Sequence, residues 1–223
     1  SDGTDISWAD AAGGVSGLTG LVENNSIWLG ADPSGTTSTA AYNVSLGTTA
    51  LDTITTGDNN SAIGYGALTA LTTGEQNTAV GSAALDANST GDKNTALGYN
   101  ALTANTTADY NVAIGRGAMT NNSTGANNTA VGTAALDGNT TASNNTAVGY
   151  NCLVTNSTGA DNTAVGVNAL QLNATTANNT AVGKSALANN IAANNTAVGK
   201  SALAENTTGT TNTALGSVAL NAN

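Results

Sequence analysis

The chain has no histidine and no phenylalanine, and only one proline, one cysteine and one methionine among its 223 residues. Without histidine, neither a Ser-His-Asp triad nor an imidazole metal site can be built. The lone Cys152 can close no disulfide within the chain and gives no multi-thiolate metal site. Aromatic residues make up 3% of the chain and charged residues 8%, so a thick core around large rings is unavailable. The interior must be thin and lined by Ala, Val and Leu, which favours an elongated object. Cations are scarce, 4 against 14 acidic residues for a formal charge of −10, and the basic footprint of nucleic-acid binding is missing. No apolar run approaches the ~18 residues of a membrane-spanning helix, so no membrane insertion is expected. The chain begins without Met or a signal peptide and reads as a processed chain or a fragment.

Asn, Thr, Ala and Gly dominate, in a strict order. Asn-Thr-Ala-Val-Gly, two variable residues, then Ala-Leu recurs with its glycine at Gly47, Gly64, Gly81, Gly98, Gly115, Gly132, Gly149, Gly166, Gly183, Gly199 and Gly216. Every step is 17 residues except one of 16, between Gly183 and Gly199, where Asn190 to Asn195 has lost a residue and must be a loop. A degenerate copy at Ser26 to Gly30 precedes the series by the same period, giving twelve coils.

Seventeen residues are too few for two helices and a turn, and the Asn, Thr and Gly content penalises helix. Thr-Ala-Val (Thr129 to Val131) and Ala-Leu (Ala135-Leu136) read as two short strands, and Asn122 to Asn127 as turn chemistry. Stacked coils make an all-β parallel solenoid, a rod rising ~4.8 Å per coil. The repeat glycine is expected to supply a left-handed corner or room for close backbone approach. The asparagine before each Thr, namely Asn43, Asn60, Asn77, Asn94, Asn111, Asn128, Asn145, Asn162, Asn179, Asn195 and Asn212, is expected to stack into an amide ladder and to tolerate the left-handed conformation.

Ala130 and Val131 must point to opposite sides of their strand, yet both columns are apolar along the whole rod. One can fill the coil and the other an interface between chains. One Val, one Leu and two Ala per coil bury little against the entropy of ordering 17 residues, so a lateral partner would help.

Residues 1–24 lie outside the repeat and read as a connector or irregular cap; residues 25–223 form the rod, which stops in mid-coil and is expected to continue into something further. Trp28 takes an Ala slot in the first coil, with Pro33 in its turn, and is read as a cap over the rod's end rather than a ligand-binding ring.

The pattern Asn-x-Ala-Val/Ile-Gly followed by Ala-Leu, over residues 26–223, resembles the head repeat of trimeric autotransporter adhesins of the YadA type. That resemblance implies a left-handed parallel β-roll with three chains wrapped together. Asn145 to Leu153 and Asn94 to Leu102 are also similar to the repeat of tail-fibre and other virion structural proteins of marine tailed phages, particularly those infecting cyanobacteria. This implies a homotrimeric fibre in a virion or at a cell surface, joined at its ends to other fibre or virion components.

Phosphate-binding loops and calcium nonapeptides are absent from the sequence. No catalytic residue, cofactor or metal is expected, and the chain is read as no enzyme. Asp58, Glu75, Asp92 and Asp109 share one repeat position and either point into water or share a cation. Tyr65, Tyr99, Arg116, Tyr150, Lys184 and Lys200 follow the repeat glycine and either contact a host-surface glycan or protein or shield the rod's edge. Cys152 in an Ala slot and Met119 in a Leu slot read as core substitutions. A structural fibre rod is the leading reading, a receptor-binding adhesin head the second, and an ice-binding solenoid the third. The last draws on the threonine column Thr78, Thr95, Thr129, Thr146, Thr163, Thr180, Thr196 and Thr213, interrupted by Ser61 and Val112.

Overall fold

The structure, a computed structural model, describes residues 20–23, 25–30 and 39–221. Each repeat supplies one short strand, and the strands stack into one 13-stranded sheet in sequence order. Strand β1 (Gly20–Glu23) pairs antiparallel with β2 (Ser26–Gly30). From β2 through β3 (Val44–Gly47) and β4 (Ser61–Ile63) to β13 (Thr213–Leu215), every pairing is parallel. The fold is a parallel β-solenoid, with no helix among the described residues. Twelve parallel strands at ~4.8 Å give a stack about 53 Å long.

Register is exact from coil to coil: Thr129 faces Thr146, Ala130 faces Ala147 and Val131 faces Val148. The 16-residue step leaves it intact, since Thr180, Ala181 and Val182 still face Thr196, Ala197 and Val198. The missing residue is absorbed in the loop, where Asn190 Nδ2 reaches the carbonyl two residues on instead of three.

The interior is as thin as the composition requires. The strand alanines, from Ala62 to Ala197, are fully buried, as are the Ala-Leu pairs from Ala50-Leu51 to Ala202-Leu203. Met119 and Cys152 take Leu and Ala places there without exposure. The side chains of Thr and Val point the other way, onto the outer face of the sheet.

Ala-Leu is not a second strand. Leu51, Leu85, Leu136 and their equivalents have φ near +50°, as does the residue two places earlier, so the chain turns twice there and aims the leucine inward. Inter-coil bonding nevertheless continues, with the Leu136 N–H donating to the Cys152 carbonyl at 2.9 Å. A left-handed corner costs a leucine ~1–2 kcal/mol, and complete burial of its side chain offsets that by ~1.5–3 kcal/mol.

The repeat glycine serves both expected purposes. Gly132 has φ +136°, and a Cβ on it would lie 2.6 Å from the Gly149 carbonyl oxygen of the next coil. Trp28 stands in register with Ser45 and is 1% exposed, so its ring fills the first coil from inside. The outer edge of β2 is covered by β1 instead, which lies within residues 1–24. Pro33 and most of residues 1–24 lie outside the described residues.

Candidate functional site

Two asparagine columns line the interior, one running from Asn43 to Asn212 and the other from Asn88 to Asn206. The Asn before each strand hands its side-chain oxygen to the next coil: the Asn60 N–H donates to Asn43 Oδ1 at 2.8 Å, and the series continues through Asn77, Asn94, Asn111, Asn128, Asn145, Asn162, Asn179 and Asn195 to Asn212. This ladder is mainly backbone to side chain, and amide-to-amide contact is secondary, as from Asn77 Nδ2 to Asn60 Oδ1 at 3.1 Å. The left-handed conformation does not fall on the ladder Asn. It falls one residue earlier, on Asn59, Gln76, Lys93, Tyr110 and their equivalents.

A true amide ladder stands beside it and was not anticipated. Asn105 Nδ2 donates to Asn88 Oδ1 at 3.0 Å, and the chain of contacts runs on through Asn122, Asn139, Asn156, Asn173 and Asn190 to Asn206. From the pair Asn77 and Asn88 to the pair Asn162 and Asn173 the two ladders meet on one carbonyl per coil: the Gly125 oxygen accepts from Asn111 Nδ2 at 2.8 Å and from Asn122 Nδ2 at 2.9 Å. Ile54 and Leu71 hold the second ladder's position in earlier coils, both fully buried. That substitution was the available signal, because an apolar residue at the same repeat position marks it as inward-facing.

In the acidic column Glu75 is exposed, while the half-buried Asp58, Asp92 and Asp109 each accept a backbone hydrogen bond. Asp58 Oδ1 accepts the Ala41 N–H at 2.7 Å, Asp92 Oδ1 the Glu75 N–H at 2.7 Å and Asp109 Oδ1 the Asp92 N–H at 2.8 Å. Ser143 plays the same part for Ala126 at 3.0 Å. Asp58, Asp92, Asp109 and Ser143 thus each satisfy a backbone donor of the preceding coil, which explains why Ser can replace a carboxylate there. No cluster of three metal-ligating side chains occurs among the described residues.

Tyr65, Tyr99, Arg116, Tyr150, Lys184 and Lys200 form one exposed column at the edge where the chain leaves the sheet, as the period requires. A second exposed aromatic position lies ahead of the strand. There the Tyr110 hydroxyl accepts from Lys93 Nζ at 2.9 Å, and the ammonium sits 4.9 Å from the ring centroid. The hydrogen bond to Tyr110 holds the Lys93 pKa above its ordinary value.

The sheet's outer face carries the threonine column beside an aliphatic one. Leu46, Ile63 and Leu97 are 39–46% exposed and Val131 and Val148 half-buried, with Leu215 the most exposed at 79%. No charged residue stands in any strand from β2 to β13. Cys152 is inert by contrast: burial pushes its thiol from the ordinary 9.0 up to about 12, with hydrogen bonds from the Val148 and Gly166 backbones opposing the rise. No protein-family model, curated protein or solved structure matches the chain.

Proposed function

We propose that the chain is a structural rod, a stiff segment of a virion tail fibre or other extracellular fibre that assembles with copies of itself as a homotrimer. The observation that carries this reading is the outer face of the sheet, an unbroken aliphatic column without a single charge in a chain whose net charge is −10. Acidic chains repel one another, so a face on which they can meet must be neutral. Long contiguous apolar strips on a protein surface mark association sites. The twelve parallel strands also bond each coil to its neighbours on both sides, which makes the stack resist bending. Length and stiffness explain the repeat positions without asking any residue for chemistry, and the ends would join other fibre or virion components.

Paired charge on the column tests the reading. In Val131→Lys/Val148→Lys the side chains still clear the coil interior, since both residues face outward. The expected result is a chain with unchanged β circular dichroism and a lower molar mass than the wild type. An unchanged mass would sink the proposed interface.

A further inference from the structure

One depression on the rod brings an aromatic ring, a guanidinium and a carboxylate together. A cleft of about 280 Å³ spans three successive coils at the edge where the chain leaves the sheet, lined among others by Tyr99, Asn100, Arg116, Gly117, Thr120 and Asp137. Its floor is Gly117. The same repeat position holds Ala83, Asn100, Ala134, Asn151 and Ser185 elsewhere, all with φ between +51° and +55°, against +62° for Gly117. Residues with side chains therefore adopt this corner throughout the rod, and the backbone does not require glycine. Packing does not require it either, because a Cβ on Gly117 would meet only Thr120 Oγ1, at 3.4 Å. Gly66 repeats the arrangement: a Cβ there would sit 3.7 Å from Asp86 Oδ1, at the repeat position of Asp137.

We infer that the cleft over Gly117 binds a single neutral hexose residue of a glycan. The Tyr99 ring is 54% exposed and offers a flat apolar surface for the C–H face of a pyranose. Arg116 brings a planar set of donors, Asp137 an acceptor, and Asn100 and Thr120 groups of both kinds, which suits a ring of hydroxyls that each donate and accept. The volume lies at the lower edge of the roughly 300–1,000 Å³ of ordinary ligand sites, enough for one ring. Asp137 within the cleft and a net charge of −10 on the chain disfavour a polyanion. This goes beyond the rod reading and does not depend on how many chains assemble.

The test is saturation-transfer NMR on the full chain with the methyl glycosides of glucose, galactose, mannose and N-acetylglucosamine. At least one is expected to receive saturation from the wild type. Gly117→Asn restores the residue that Asn100 and Asn151 carry in the same left-handed conformation, so the fold is kept while the cleft is filled; the signal should vanish. Tyr99→Ala should weaken binding about tenfold. If no glycoside receives saturation, or if the signal survives in Gly117→Asn, the inference is wrong. The molar mass of Gly117→Asn should equal that of the wild type, which separates failure of the cleft from failure of the rod.

Discussion

The second asparagine ladder gives a sharp prediction, because the same residue type should matter very differently at two of its positions. Asn122 Nδ2 donates to Asn105 Oδ1 at 3.2 Å and to the Gly125 oxygen at 2.9 Å, while Asn122 Oδ1 accepts from Asn139 Nδ2 at 2.7 Å. In Asn122→Ala the Gly125 oxygen keeps Asn111 as a donor, but Asn105 Oδ1 and one hydrogen of Asn139 Nδ2, both fully buried, lose these partners. Each such group costs ~1–3 kcal/mol, so about 2–6 kcal/mol is expected. Asn88 stands at the ladder's end, next to the position of Leu71. In Asn88→Leu the Gly91 oxygen keeps Asn77 Nδ2 at 2.8 Å, and only one hydrogen of Asn105 Nδ2 loses its acceptor. The new leucine extends the column of Ile54 and Leu71, and its burial is worth ~1.5–3 kcal/mol, so the change should lie within about 1 kcal/mol of neutral. Stacked repeats need not unfold in one step. The appropriate assay is therefore native-state hydrogen exchange followed coil by coil. Protection around residues 105–139 should fall at least about 30-fold in Asn122→Ala and stay close to wild type in Asn88→Leu. Equal behaviour of the two variants would refute the ladder as a hydrogen-bonded unit.

Other substitutions separate backbone from side-chain roles. Gly149→Ala places a Cβ 2.6 Å from the Gly166 oxygen and should lower the urea midpoint far more than Gly117→Ala, whose Cβ meets nothing closer than 3.4 Å. Asp109→Ala removes the acceptor of the Asp92 N–H and should cost about 1 kcal/mol in a urea melt; Asp109→Ser should recover most of it, as Ser143 does for Ala126. Added calcium should leave the melting temperature of the wild type unchanged. With its pKa raised by burial to about 12, the Cys152 thiol stays protonated in the native state after the unfolded chain has begun to ionise. Its contribution to stability is thus complete below pH ~9 and declines as pH rises from there towards 12, and a thiol reagent at pH 8 should label Cys152 only as fast as the chain unfolds.

The coil and its period were legible because Gly132 and its equivalents from Gly47 to Gly199 cannot be replaced without a clash, so the spacing of the glycines is the spacing of the coils. The inward alanine and outward valine followed from strand alternation alone. Ala135-Leu136 misled, because a buried leucine in a left-handed corner carries the same letters as a buried leucine in a strand; only the φ of +54° tells them apart. Asn122 was hidden for a similar reason, since asparagine is common in exposed turns and its full burial depends on the amides stacked above and below it. The carboxylates of Asp58, Asp92 and Asp109 were placed in one column, but their acceptor role depends on which N–H of the preceding coil lies within reach. Tyr99 and Arg116 were singled out by their column. Asp137 was not, because its part in the cleft exists only through the space over Gly117.

The central claim, that the uncharged outer face joins copies of the chain into a fibre, is tested most directly by the molar mass in solution, measured by light scattering on a size-exclusion column. A trimeric fibre gives three times the chain's 21.5 kDa, maintained on dilution. A stable monomer at 21.5 kDa, with its aliphatic column open to water, would contradict it.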